Sequence, residues 1–405
     1  MQRISVLLFA AALAAPACST GDSGGTGTNT GDTCGDGVCQ TGESAASCPT
    51  DCTATGDQWD QQLQSRTTDY NAALRIASLR LTGKLPTMAD ITAVSGAPDD
   101  AAKKVAYTAI VNQYIAAPEF KTQVLAFWRD TMKQGGSAIL DTAPVFAAKL
   151  SVENGSYMDL FTASSGNCPT FDGTTFAAGE CTNGGPKAGV LTNPGVMTQF
   201  YSNFAFRRTR WVQETFVCAA YPAEVSDTPQ PVSSTASAAL YTGVWPFDSI
   251  AGTASGGRVD FKDVSATICA NCHSTINHIA PLFANYDMMG VYQTAIAVLT
   301  PLDGAPLAKL TDYLPAGQQD TAWRFGKPAA DIPALGAQMK ADPQVAACGV
   351  ARMWNWALGK TDIVDTLQQV PNTTIQTQID AFTQSGFKLK DLILAVYTSD
   401  DFVKF

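Results

Sequence analysis

The chain has 405 residues, 45% of them hydrophobic, enough for one large or two ordinary domains. Acidic residues number 36 against 26 basic ones, for a net charge of −10. That balance argues against a nucleic-acid binder, whose affinity comes from Lys and Arg on phosphates, and leaves acidity as a solubility device.

Residues 1–18, MQRISVLLFAAALAAPAC, place Arg3 before an apolar run of signal-peptide length, too short to span a bilayer. Ala15-Pro16-Ala17-Cys18 resembles a bacterial lipobox, with Pro16 a departure from the usual pattern. The expectation is a lipoprotein signal peptide whose cleavage leaves Cys18 as the lipidated N-terminus; the alternative is an ordinary cut near Ala17. Ser19 points, by analogy, to the outer membrane, on its periplasmic or surface side. No later run has spanning length, so the lipid is the one membrane contact expected.

Residues 19–33 are a flexible Gly/Ser/Thr linker. Its Gly21-Asp22-Ser23-Gly24-Gly25 matches the string around a serine-protease nucleophile. The chain's two histidines, His273 and His278, lie too far along the sequence to make that more than a chance match. Residues 34–56 begin CGDGVCQTGESAASCPTDC, which resembles a small Cys-rich repeat of secreted proteins. A segment this short needs staples, and Cys34, Cys39, Cys48 and Cys52 can supply them. Asp36, Glu43 and Asp51 offer hard oxygens for a calcium-binding alternative.

Residues 57–250 read as a helical region. WDQQLQSRTTDYNAALRIASLRLTG has apolar residues at helical spacing from Trp59 to a stop at Gly83. A short helix follows Pro86. AAKKVAYTAIVNQYI stops before Pro118, and EFKTQVLAFWRDTMKQ stops at Gly135-Gly136. The stretch 165–200 is Gly/Asn/Thr-rich and loop-like, NFAFRRTRWVQETFVCAAYP is a helix ended by Pro222, and 222–260 is irregular. Residues 251–405 return to helix from about Pro333. The fold class expected is mainly α: a helical domain with long loops leading into a C-terminal haem-type module, behind a small disulfide-stapled N-terminal segment.

Eleven cysteines in an exported chain suggest disulfides. Cys168 and Cys181 flank a glycine-rich loop. Once Cys18, the N-terminal four and the pair Cys269/Cys272 are set aside, Cys218 and Cys348 remain. No thiol is left odd if these two pair, although the sequence does not fix connectivity.

The chemically specific stretch is ICANCHSTINHIAP, residues 268–281, with Cys269, Cys272 and His273 in C-x-x-C-H spacing. Two thiols so placed can bond the two vinyl groups of a haem, and the adjacent imidazole can sit beneath the iron. Chance would produce this pattern roughly 0.001–0.002 times in a chain of this Cys and His content. A structural zinc site needs a second pair of ligands, which is absent from the sequence, and nothing nearby reads as a thioredoxin-like dithiol unit. LGKT at 358–361 is no phosphate loop, because Trp354 stands where that motif needs glycine.

CANCHSTINHIAPLFANYDMMG resembles the C-terminal modules of planctomycete-type cytochrome c domain proteins, a family of poorly defined function. The matching features are the C-x-x-C-H, the triplet Asn285-Tyr286-Asp287, and Gly290. Further similarities are LRLTGKLPT (79–87), MDLFTAS (158–164), GVLTNPGVM (189–197), RTRWVQETFVC (208–218), CGVARMWNWALGK (348–360) and the ending LILAVYTSDDF. His278-Ile279-Ala280 stands where the family often has proline–x–glycine, and no methionine follows Ala357-Leu358-Gly359-Lys360 closely. The resemblance implies one covalent haem c, with Cys269 and Cys272 as attachment points and His273 as proximal ligand. Candidates for the opposite iron face are Met339 and Met353, ahead of Met288, Met289 and His278; an open site is the alternative. By analogy the Pro281 carbonyl accepts the proximal imidazole's N–H. Trp211, Trp354 and Trp356 read as core, and Asp287 as a cap.

The function expected is electron transfer by a lipid-anchored c-type cytochrome-like protein, a carrier rather than a catalyst. The alternatives are a haem-dependent periplasmic oxidoreductase (peroxidase- or oxidase-like, or a dehydrogenase subunit) and a surface binding protein with structural haem. Either a redox partner protein or a small-molecule substrate is left open, and the catalytic residues are not identified.

Overall fold

The structure, a computed structural model, describes residues 65–219, 276–300, 307–313, 319–359 and 370–405. Cys18, Cys34, Cys39, Cys48, Cys52, Cys269, Cys272 and His273 lie outside the described residues, as do segments 1–18, 19–33 and 34–56 and the stretch 222–260. The chain divides at Arg66, and Thr67–Phe405 is one compact unit.

That unit is mainly helical. Helix α1 spans Tyr70–Thr82, α2 Met88–Ser95, α3 Asp100–Ala116, α4 Pro118–Met132, α5 Thr142–Val152 and α6 Asp159–Thr162. After a two-residue-per-strand hairpin (β1 Thr170–Phe171, β2 Phe176–Ala177) come α7 Pro194–Gln199 and α8 Phe206–Phe216. A second hairpin (β3 Ala322–Trp323, β4 Lys327–Pro328) precedes α9 Ile332–Lys340, α10 Pro343–Leu358, α11 Gln376–Gln384 and α12 Leu389–Tyr397.

Local chemistry sets most boundaries. Thr87 and Asp90 form a reciprocal capping box that starts α2. Pro118, which lacks an N–H, sits at the first position of α4 and ends α3. Gly83 closes α1 in the left-handed region, φ 70°. The sequence pattern runs on from Trp59 to Gly83; residues 59–64 lie outside the described residues, Ser65 is helical, and the pattern breaks at 66–69 before α1 starts at Tyr70. Asp69 accepts hydrogen bonds from the N–H groups of Asn71 and Ala72, and Thr67 exchanges backbone bonds with Phe405 (2.9 and 3.0 Å). A long-range pairing of the two ends of the unit thus overrides the local helical period. Similarly, α8 stops at Phe216 rather than at Pro222, because Cys218 adopts φ 58° to meet its disulfide partner. The loop-like stretch 165–200 carries the first hairpin, a 3₁₀ turn (Gly189–Thr192) and α7, stapled by Cys168–Cys181.

One core joins the early and late helices. Helices α1, α3, α4 and α5 pack in sequence, and α12 packs on α3 and α5. Tyr107 of α3 donates to the Tyr397 carbonyl of α12 (2.6 Å). Arg352 of α10 donates to the Glu214 and Thr215 carbonyls at the end of α8 (both 2.7 Å), beside the Cys218–Cys348 disulfide. Among the described residues no helix is long and apolar enough to cross a membrane.

Candidate functional site

Three residues beyond His273, Ile276–Ile279 form a helical turn that continues into a 3₁₀ helix, Ala280–Phe283. Ile276, Asn277, Ile279, Ala280 and Phe283 are buried, so this segment is fixed in the core. The Pro281 carbonyl accepts the Ala284 N–H (3.3 Å), which leaves its second lone pair for another donor. His278 holds its ring against the β-hairpin side of the unit: Nδ1–H donates to the Asp320 carbonyl (2.7 Å). With Nδ1 protonated, a neutral His278 presents its lone pair at Nε2.

The Asn285-Tyr286-Asp287 triplet builds a turn. Asn285 Nδ2 donates to the Gln293 and Ala295 carbonyls (3.0 and 3.2 Å). Asp287 Oδ1 accepts the N–H groups of Met289 and Val291 (both 2.9 Å), and its Oδ2 accepts from Gln293 (2.7 Å). Asp287 is therefore a loop cap. Tyr286 is fully buried and packs edge-on against Tyr292; burial pushes its hydroxyl pKa up. Gly290 has φ 74°, and a Cβ there would lie 2.5 Å from the Pro194 carbonyl, so only glycine allows this approach to α7.

Beneath the turn lies Arg208 of α8, with no exposed surface. Its guanidinium donates to the carbonyls of Met197 (2.6 Å), Phe283 (3.1 Å), Tyr286 (2.7 Å) and Asp287 (2.8 Å), and sits 5.3 Å from the Tyr201 ring centroid. Carbonyl dipoles and a ring face compensate the charge. Burial pushes the guanidinium pKa down to about 10, so it stays protonated at neutral pH. The sequence shows an arginine in RTRW; nothing local shows that it clamps a segment some 80 positions away.

A cleft of about 350 Å³ borders this segment, with Pro281, Leu282, Asn285, Tyr292 and Lys309 in its wall. Met339 and Met353 are fully buried in the common core, on α9 and α10, and neither lines the cleft. Met288 and Met289 are 63% and 61% exposed. Trp211 and Trp354 are buried, Trp211 donating to the Met132 carbonyl (3.0 Å), and Trp356 is half-buried. Among the described residues no cluster of three or more His, Cys, Asp or Glu could hold a metal ion. Two disulfides, Cys168–Cys181 and Cys218–Cys348, close within this unit, a connectivity that the sequence left open.

Residues 187–296 match the family PSCyt3, a protein of unknown function (DUF1588). The matched stretch is cytochrome-like and contains the C-x-x-C-H, Arg208 and the 285–290 turn. No curated protein and no solved structure matches the chain. The chain is mainly helical, and over this stretch it is similar to a cytochrome-like domain whose function is not established.

Proposed function

We propose that the protein is an exported, lipid-anchored electron carrier with one covalent haem c. The observation that carries the reading is the C-x-x-C-H at 269–273 inside the cytochrome-like stretch. The donor set fits the group: two thiols at vinyl spacing and an imidazole next to the second. Cys269 and Cys272 would hold the macrocycle, and His273 would be the proximal ligand. Met339 and Met353 are the candidates for the other face. When bound, the group supplies reversible one-electron chemistry. The chain's part would be to fix the ring's surroundings, and the Arg208 clamp on carbonyls 283, 286 and 287, ten to fourteen residues past His273 in sequence, supports that reading. Cys18 would carry the lipid that holds the protein at the outer membrane, and the partner would be a redox protein or small molecule reached from the envelope.

The test is co-expression of the exported chain with a haem-maturation system. The unaltered chain is expected to gain the mass of one haem and to show low-spin bands unchanged by carbon monoxide. The variant Cys269→Ala/Cys272→Ala is expected to carry no covalent haem. High-spin, carbon-monoxide-binding iron would instead favour the oxidoreductase reading. Absence of covalent haem in the unaltered chain would reject both.

A further inference from the structure

The two disulfides differ in what their sulfurs face. Cys218 and Cys348 are 3% and 1% exposed, and their sulfurs lie against the Cys348 and Thr215 carbonyl oxygens (3.6 and 3.5 Å). A thiolate there would be buried among negative dipole ends, so opening that bridge is disfavoured. The Cys168–Cys181 bridge is placed differently. Cys181 is buried, but Cys168 is half-buried, and the hairpin between them is exposed for most of its length.

Its sulfurs face donors. Asn193 is fully buried, and its Oδ1 accepts the Gly195 N–H (2.9 Å). One N–H of its Nδ2 donates to the Asn167 carbonyl (3.3 Å), which leaves the second to Cys168 Sγ (3.6 Å) and Cys181 Sγ (4.0 Å). The Lys187 ammonium binds the Cys181 carbonyl, which brings a positive charge to the same residue. Asn167, the neighbour of Cys168, is fully buried with neither amide atom hydrogen-bonded among the described residues. The bridged form therefore carries an unpaired amide that an opened loop can relieve.

We propose that Cys168–Cys181 is a thiol–disulfide exchange site, opened by a protein dithiol. The partner's thiolate attacks Cys168 Sγ, the more exposed sulfur, and the Cys168–Cys181 bond breaks. Cys181 leaves as a thiolate held by the Asn193 N–H and the nearby ammonium. The partner's second thiol then attacks its own sulfur in the mixed disulfide and releases Cys168. The partner is oxidised to a disulfide, and this chain takes the two electrons and two protons as two thiols. None of this requires the haem. Opening reaches the cytochrome-like stretch through Asn183, two residues past Cys181, whose Nδ2 donates to the Thr192 and Gly290 carbonyls (3.0 and 2.8 Å). The 285–290 turn loosens when that anchor is freed.

The experiment uses the full chain under native conditions in graded mixtures of reduced and oxidised dithiothreitol. Thiols are trapped by alkylation and assigned by peptide mass, with hydrogen exchange read on the same samples. Cys168–Cys181 is expected to open at a dithiol-to-disulfide ratio at least about tenfold below that needed by Cys218–Cys348. Amides 286–291 are expected to exchange faster once it opens. Asn193→Asp keeps the Oδ1 acceptor and replaces the N–H donor with a negative oxygen. It is expected to make opening about tenfold harder, a shift of about 30 mV. If that variant does not fold, Lys187→Gln, at a half-buried position, is expected to make opening about threefold harder. Simultaneous opening of both bridges, opening of Cys168–Cys181 only in denaturant, variants that open as readily as the parent, or unchanged exchange at 286–291 would each overturn the proposal.

Discussion

Arg208→Met is expected to cost about 4 kcal/mol of folding stability, the largest effect of any single side chain in the cytochrome-like stretch. Arg208 is fully buried and serves four carbonyls at once, those of Met197, Phe283, Tyr286 and Asp287. Methionine fills much of the volume but offers no donor, so all four lose this partner. A buried polar group left unpaired costs about 1–3 kcal/mol, and four acting together do not simply add. Hydrogen bonds to a charged group are worth about 1.5–3 kcal/mol each, and losing four of them less than additively sets the figure. Arg208→Lys keeps the charge, but an ammonium cannot reproduce the planar fork that spans α7 and the 283–287 turn; about 2–3 kcal/mol is expected to be lost. Urea unfolding checks both through a lower midpoint at unchanged slope. A methionine variant within about 1 kcal/mol of the parent would show that the carbonyls find other donors, and the clamp would not be what orders the turn.

What could be read beforehand followed the range of the interaction. The short helix after Pro86, the break at Pro118 and the stop at Gly83 need only neighbours in sequence, and they place α2, α3, α4 and the end of α1. The break at 66–69 is not in the pattern, because Asp69 and the Thr67–Phe405 pairing interrupt a helical period that the sequence carries through without a stop. The end of α8 was missed because the turn at Cys218 answers to a partner on α10. Arg208 was visible as part of a motif, but its role depends on carbonyls, which carry no side-chain signature. The C-x-x-C-H reads as chemistry from the sequence alone, because covalent attachment of a haem would require that fixed local spacing; it lies outside the described residues.

Removing the Cys218–Cys348 disulfide as Cys218→Ala/Cys348→Ala is expected to cost about 4–5 kcal/mol, against about 3 for Cys168→Ala/Cys181→Ala. The difference follows from the loops closed. The first bridge joins residues 130 apart and the second residues 13 apart, and the cross-link restricts the unfolded chain more as the loop lengthens. The long loop contains all of 219–347, including the C-x-x-C-H, the 285–290 turn and α9, so the bridge ties the start and finish of that segment to one point between α8 and α10. In the native state the same point is held independently by Arg352 on the Glu214 and Thr215 carbonyls, and by the Gln344 amide on the Val217 carbonyl (3.1 Å). Native docking therefore survives loss of the bridge, and the cost falls on the search for it. Folding is expected to slow while unfolding changes little, since the broken constraint acts on the unfolded ensemble. Stopped-flow refolding and urea unfolding of both variants decide the matter. If the short-loop variant loses more stability, or if the long-loop variant loses it through faster unfolding, the bridge acts by native packing at Cys218 and not by holding the ends of the segment together.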